Sequence, residues 1–483
     1  MPTHKVSTFL SEISTFFKKD SAEGAMFTIM SVIKGIKMNE QTLFGRKSRC
    51  NSVYSLLHVF QLLLVCPCFM IRNPFSVTGS PLGGKLGCGK DVFYDFLNDA
   101  RTDWRKLMYH ISSQLWTKIR VCSDHKAVDT CLMIDDTDFP KTGKRIENVG
   151  RVYSHLEHKC ILGFKALFLG LTDGVSQMLL DFAIIGEKGK KGNFGMSAKE
   201  LSRRYTAERT PDTPLEGRVS EYTMNKIDLA IEMIRRAVSH KVKFRYVLAD
   251  SWFTCAKIVK FIHSRHFKCD YIGMIKIGDA GTTKYHFEKK DLNAPAIIKI
   301  LSKRGEKRYS RKLGCCYMSS DVVFAGIPVR LFFIRRSKRG PWSGLLCTDM
   351  KLGFFEAYRI YSRRWSLEVI FKVGKGLLGL GKCQSNNFSV QIASASLVAL
   401  QYNVLSVVKR FTAYETIGGL FRAVNQDSLE ITVSERIWGA VFELVAAIIR
   451  VFNVTDEEVL EAVVNESNEL AHICELYRYK MAS

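Results

Sequence analysis

No Cys-x-x-Cys pair occurs among the 14 cysteines of this 483-residue chain. That absence removes the usual marker of a structural zinc site or a redox dithiol, and the scattered thiols read as reduced cytosolic cysteines. Nor is there an uninterrupted apolar run of the about 20 residues a membrane span needs. The stretch 55-SLLHVFQLLLVCPCFMI-71 approaches that length, but His58 and Gln61 interrupt it and Pro67 sits near its end, so a buried helix is expected there. The opening MPTHKVSTFLSEISTFF lacks the layout of a signal peptide. Internal repeats and low-complexity tracts are also missing. With 47% hydrophobic and 24% charged residues, the chain is globular, neither disordered nor fibrous.

Acid is the scarcer charge. Against 71 Lys and Arg stand 47 Asp and Glu, a formal net charge of +24. So large a basic excess favours a polyanion, most often nucleic acid, through phosphate contacts and counterion release. The excess is uneven, because from Phe411 onward there are 5 basic residues and 12 acidic ones, leaving +31 for residues 1–410. The last segment is therefore not expected to form the main nucleic-acid surface.

Apolar residues at three and four spacing predict helices near 8–18, 23–37, 51–66 and 91–119, separated by Gly-rich breaks such as 79-GSPLGGKLGCG-89. From about 129 the texture changes to strands: 130-TCLMID-135, 163-GFKALFLGLTD-173 and 176-SQMLLDFAII-185. A basic, Gly-rich stretch over 186–217 reads either as an arm for phosphates, carrying Lys188, Lys190, Lys191, Arg203 and Arg204, or as a merely solvated loop. A long amphipathic helix over 218–239, the strand 244-FRYVLAD-250, a helix over 252–265 and the strand 270-DYIGMIK-276 complete an alternating pattern that predicts a mixed α/β sheet. Residues 277–345 look like an inserted β-rich module. The strand 344-GLLCTD-349 then resumes the pattern, followed by helices over 352–375 and 389–411 and an acidic helical tail.

Two apolar strands that end in acid are the informative coincidence. Neighbouring strands of an open sheet bring their last residues together at the carboxyl edge, where ligands bind. Paired carboxylates repel unless a cation lies between them. Asp135 and Asp250 are thus candidate ligands for a hard divalent metal. Taken singly, Asp135 can equally be a turn or N-cap residue of the run DDTD, and Asp250 can cap the helix that follows. In 361-YSRRWSLEVIFKVGK-375, at about 100° per residue, Tyr361, Arg364, Glu368 and Lys375 fall within roughly 60° of one another on a helix. That stripe is either a solvated face with helix-spaced ion pairs or a carboxylate ligand set among phosphate-binding groups. The histidines of 155-HLEHKC-160 lack zinc spacing and are read as turn residues or residues near DNA.

The pattern Tyr-x2-Arg-x3-Glu-x6-Lys, with YSRRWSLEVIFKVGK, ADSWF and IDDTDFPKTGK in that family's order, resembles the insertion-sequence-four group of bacterial DDE transposases. Intervals of 115 and 118 residues separate the three acids Asp135, Asp250 and Glu368. The resemblance covers about 129–410. It implies an α/β fold with a ribonuclease H-like core (126–276 and 346–411), interrupted by a β-rich insertion (277–345) and flanked by a helical N-terminal domain (1–125) that recognises the transposon ends and an acidic helical C-terminal domain (412–483) expected to pair two copies. It also implies that Asp135, Asp250 and Glu368 hold two Mg²⁺ ions, with Mn²⁺ as a substitute. Asp135 is preferred to Asp136 and Asp138 because it stands two residues before Thr137. Tyr361, Arg364, Lys372, Lys375 and Lys141 are then expected on DNA. An insertion aromatic that holds a flipped base is part of the same implication, although Trp252 and Trp342 are read as ordinary core residues. The expected activity is cut-and-paste transposition of double-stranded DNA by a dimer in the bacterial cytoplasm, associated with the nucleoid and not with a membrane. A nuclease without strand transfer and a catalytically silent DNA-binding derivative are the alternatives, whereas an RNA-binding protein lacks a recognisable motif.

Overall fold

The computed structural model describes residues 25–48, 52–71, 76–77, 89–121, 130–189, 191–209, 211–264, 268–278 and 282–426. The tail beyond 426, and with it most of the acidic helical segment, lies outside the described residues, as does Lys190. Backbone contacts divide the chain once, between Val424 and Asn425.

A twelve-stranded sheet runs through the described residues. Its strands are β1 (Cys131–Pro140), β2 (Gly150–Ser154), β3 (Lys159–Thr172), β4 (Gln177–Ile185), β5 (Tyr246–Ala249), β6 (Asp270–Ile275), β7 (Lys284–Phe287), β8 (Lys290–Asn293), β9 (Arg308–Ser310), β10 (Cys315–Phe324), β11 (Ile327–Arg335) and β12 (Ser343–Cys347). Along one half the order is β4-β3-β1-β5-β6, with β3 antiparallel to β1 and to β4, and β5 parallel to both β1 and β6. The four residues of β5, Tyr246–Ala249, are all buried, as expected of a short parallel strand covered on both faces. The β-rich stretch joins the core sheet edge to edge. Its strand β11 pairs with β12, and β12 pairs with β6, so one sheet continues from the core through β11, β10, β7 and β8.

Helices cover the sheet. In chain order they are α1 (Ala25–Lys34), α2 (Glu40–Phe44), α3 (Leu56–Val65), α4 (Lys90–Asn98), α5 (Trp104–Val121), α6 (Ala198–Leu201), α7 (Pro214–Ser220), α8 (Lys226–Ser239), α9 (Ala256–His263), α10 (Ala294–Lys303), α11 (Phe354–Ser362), α12 (Trp365–Val373) and α13 (Phe388–Arg410). The expected helix over 218–239 is in fact two, because Asn225 caps α8 by accepting from the Ile227 amide at 2.8 Å. The one expected over 91–119 also breaks, where Asp99 and Thr102 turn the chain between α4 and α5. The apolar run near 55–71 forms α3 and a 3-10 turn, with Val59, Phe60 and Leu62–Val65 buried. Helix α13 is long and apolar enough to cross a membrane, yet almost all of it is buried against the sheet and the N-terminal helices. Asn403 on α13 reaches the sheet and α5 together, donating to the Leu179 carbonyl at 2.8 Å and to Ser112 Oγ at 2.9 Å.

Candidate active site

The last parallel pair between β1 and β5 is Ile134 with Ala249. The next residue on each strand is an acid, Asp135 and Asp250, so the two carboxylates share one edge of the sheet. Asp135 lies inside β1, still paired with Phe168 of β3, and is neither a turn residue nor an N-cap. Asp250 closes a local turn by accepting from the Trp252 amide at 2.8 Å, while α9 begins only at Ala256.

Helix α12 brings in the third acid. Its apolar residues Leu367, Ile370 and Phe371 are buried, and Phe371 packs on Phe168 of β3 with ring centroids 5.4 Å apart. Gly170 on β3 makes the approach close, since a Cβ there would stand 2.9 Å from Leu367 Cδ2 and 3.0 Å from Met133 Cε. The polar side of the helix consequently faces the two aspartates.

Arg364, at the junction of α11 and α12, ties the site together. Its Nη1 donates to Asp135 Oδ2 at 2.5 Å, its Nη2 to Glu368 Oε1 at 2.7 Å, and its Nε to the Tyr361 hydroxyl at 3.1 Å. Three of the four stripe residues therefore meet. The fourth, Lys375, sits in a π-helical turn, Gly374–Leu378, that extends α12. Burial lowers its pKa, and the charged group acting against that fall is Asp138.

Burial pushes the Asp135 carboxyl up to about 7, with the negative charges of Asp250 and Asp136 adding to the rise and Arg364 opposing it. The Tyr361 hydroxyl is pushed up to about 12, by burial first and then by Asp250 and Asp135. Asp136 and Asp138 are held by lysines: Lys226 Nζ lies 3.0 Å from Asp136 Oδ2, and Lys165 pairs with Asp138. Of the three acids of the first motif, Asp135 alone bonds to Arg364 and so joins the cluster on α12.

Among the described residues, no three His, Cys, Asp or Glu side chains stand close enough together to enclose a metal ion as they are. The donor chemistry still fits a hard divalent cation, because carboxylate oxygens are the ligands such ions take. A positive charge already occupies the place between Asp135 and Glu368, as the guanidinium of Arg364.

The other expected DNA contacts fare unevenly. Lys141 must be corrected, since it is buried and donates to the carbonyls of Gly381 at 2.8 Å and Cys383 at 2.5 Å, so it ties the end of β1 to that loop and presents no charge to solvent. Lys188, Lys191, Arg203 and Lys372 are exposed. Arg204 lies over the Phe194 ring at 5.7 Å with its Nε and Nη2 buried. His155 and His158 fall in the exposed turn between β2 and β3.

Trp252 is not a core residue. It is 49% exposed, and the ammonium groups of Lys226 and Lys276 lie 5.0 Å and 5.6 Å from its ring centre. Trp342 is half-buried beneath the guanidinium of Arg335, 4.7 Å away. The position of Trp252 two residues after Asp250 was the available signal for the first. The lysines beside it come from α8 and the end of β6, which spacing alone does not bring together.

Residues 75–275 match the family model described as DDE superfamily endonuclease. The matched segment includes Asp135 and Asp250 and stops before Glu368. Among solved structures, the chain is similar to a piggyBac transposase in a synaptic complex with hairpin DNA, at 13% identity and a TM-score of 0.41, over 90% of this chain and 81% of that one. No curated protein matches the chain.

Proposed function

We propose that the chain is a DDE transposase that cleaves the ends of a mobile DNA element and joins the freed 3′-hydroxyl to target DNA. The observation that carries this reading is the meeting of Asp135 with the Arg364–Glu368 pair of α12, while Asp250 ends the parallel strand beside it. The order β4-β3-β1-β5-β6, with the acids where its antiparallel half joins its parallel half, supports a ribonuclease H-like core, and the match of 75–275 to an endonuclease family supports phosphodiester chemistry.

Asp135, Asp250 and Glu368 would hold two Mg²⁺ ions, with Mn²⁺ able to substitute. Such ions supply activation of the attacking oxygen and stabilisation of the leaving one. Arg364 and Tyr361 orient the scissile phosphate from the α11–α12 junction, and the exposed Lys372 neutralises a neighbouring one. Lys188, Lys191 and Arg203 track the backbone further along. The N-terminal helices supply recognition of the terminal repeats, since specificity needs base-edge contacts beside phosphate contacts. Two copies pair the two ends, and a hairpin on one strand is the expected intermediate.

The test is cleavage of DNA carrying the repeats that flank the coding region, with Mg²⁺, by wild type and by Asp250→Ala. Metal-dependent cleavage followed by strand joining in wild type, both lost in the variant, is the expected result. Cleavage without joining leaves a nuclease. Binding by both proteins with cleavage by neither leaves a silent DNA-binding derivative and overturns the enzymatic reading.

A further inference from the structure

The side chain of Arg364 makes three directional contacts, to Asp135, Glu368 and Tyr361, and all three are within the chain. Two of those partners are acids assigned above to metal binding. A guanidinium that spans both carboxylates lies between them where a cation would and supplies half the charge of a divalent ion. Three of its five N–H donors, the Nε–H and one on each Nη, are engaged in this arrangement. We propose that Arg364 is a latch: in the free protein it closes the metal site, and it opens when a DNA phosphate draws the guanidinium away, so that metal and DNA bind cooperatively. The inference rests on the transposase reading and adds regulation to the same site.

The physical basis is competition for one partner. Arginine binds carboxylate and phosphate in the same planar, two-pronged manner, so a phosphate competes with Asp135 and Glu368 for the donors they now hold. The side chain projects from the junction between α11 and α12, where the backbone turns through Arg363 and Arg364. Rotation about its own torsions moves the guanidinium without shifting either helix. The half-buried setting makes the choice matter, because the three acids left without any cation repel one another in a poorly solvated place. A latch closed nine-tenths of the time weakens apparent metal affinity about tenfold.

Mn²⁺ binding to the full chain, read by the paramagnetic resonance signal of free Mn²⁺ without DNA and then with a 30-base-pair mixed-sequence duplex, tests the latch. Arg364→Gln is expected to bind Mn²⁺ about tenfold tighter than wild type without DNA, and Arg364→Lys to fall between them. The duplex tightens Mn²⁺ binding to wild type and leaves Arg364→Gln unchanged. Should the glutamine variant fail to fold, as judged by its melting curve, the lysine variant carries the comparison. Equal Mn²⁺ affinity in wild type and variant, or weaker binding in the variant, overturns the latch while the metal site stands. Mn²⁺ binding that Asp250→Asn does not abolish removes the metal site itself, and the function proposed above with it.

Discussion

Asp181 lies on β4, fully buried, with Arg105 Nε at 2.8 Å and Arg236 Nε at 2.7 Å on its two oxygens and Arg218 3.8 Å away. Burial alone pushes its carboxyl up, but Arg105, Arg236 and Arg218 together outweigh that and hold it below the usual carboxylate range. Glu221 shares the same three arginines, Arg105 at 2.8 Å, Arg236 at 3.4 Å and Arg218 at 3.7 Å. These side chains come from α5, β4, α7, α8 and the 3-10 turn between the last two, so the cluster pins an N-terminal helix to the sheet. Replacing Asp181 by Asn leaves three arginines facing a single carboxylate. A loss of about 3–5 kcal/mol is expected from breaking such a buried pair, measured by denaturant unfolding at neutral pH. The sign of the pH effect follows from the direction of the shift. A depressed folded pKa contributes stability that is present above the unfolded carboxylate value and fades as pH falls through the folded one. Wild type should therefore lose stability on acidification below about pH 4, and Asp181→Asn should lose less over that window. No spacing in the sequence marks this cluster. Its members are scattered from 105 to 236, and in isolation each reads as an ordinary surface charge.

At the scale of elements, the junction of α11 and α12 decides where Glu368 and Arg364 stand, and the packing under α12 decides how close it comes. Gly170 is the hinge of that packing. A valine there puts branched carbon where Leu367 Cδ2 and Met133 Cε now lie, and it meets the Met178 carbonyl from the other side at 3.3 Å from its Cβ. Overpacking of this kind costs about 1–3 kcal/mol. The expected outcome for Gly170→Val is a lower midpoint of unfolding together with weaker Mn²⁺ binding, although the substitution touches no acid. Unchanged metal binding would mean that α12 is positioned from its ends instead of its underside. Periodicity placed this helix correctly as a helical segment over 352–375, because its apolar spacing is strong. It did not show the break at Arg363 and Arg364 or the π turn after Val373, since neither carries Pro, and Gly374 stands at the end of the run as any C-terminal glycine would. The continuous sheet was equally illegible. β6 and β12 pair across about 70 residues of chain, and local pattern holds no information about pairings at that separation. What could be read were the strand ends: an apolar run closed by acid, twice, at Asp135 and Asp250.

Charge is the property of the whole chain that bears most directly on its partner. Residues 425–483 contain 4 basic and 11 acidic residues, so a chain that ends at Val424 carries +31 where the full chain carries +24. That division coincides with the boundary between the two compact units. If the basic unit alone engages DNA, removing the tail removes repulsion and no contact. The shortened chain should then bind a random duplex at least as tightly as the full chain. Each should lose affinity linearly against the logarithm of salt concentration, with a slope of about −0.9 for every phosphate neutralised. Fluorescence anisotropy across a salt series measures both quantities. Pairing two copies is the task expected of the acidic C-terminal segment, so light scattering on the same two proteins with DNA bound should show a dimer for the full chain and a monomer for the shortened one. Loss of DNA affinity on shortening would place contacts in the acidic tail, against the sign of its charge. A dimer that survives shortening would move the pairing surface into the unit that also holds Asp135, Asp250 and Glu368.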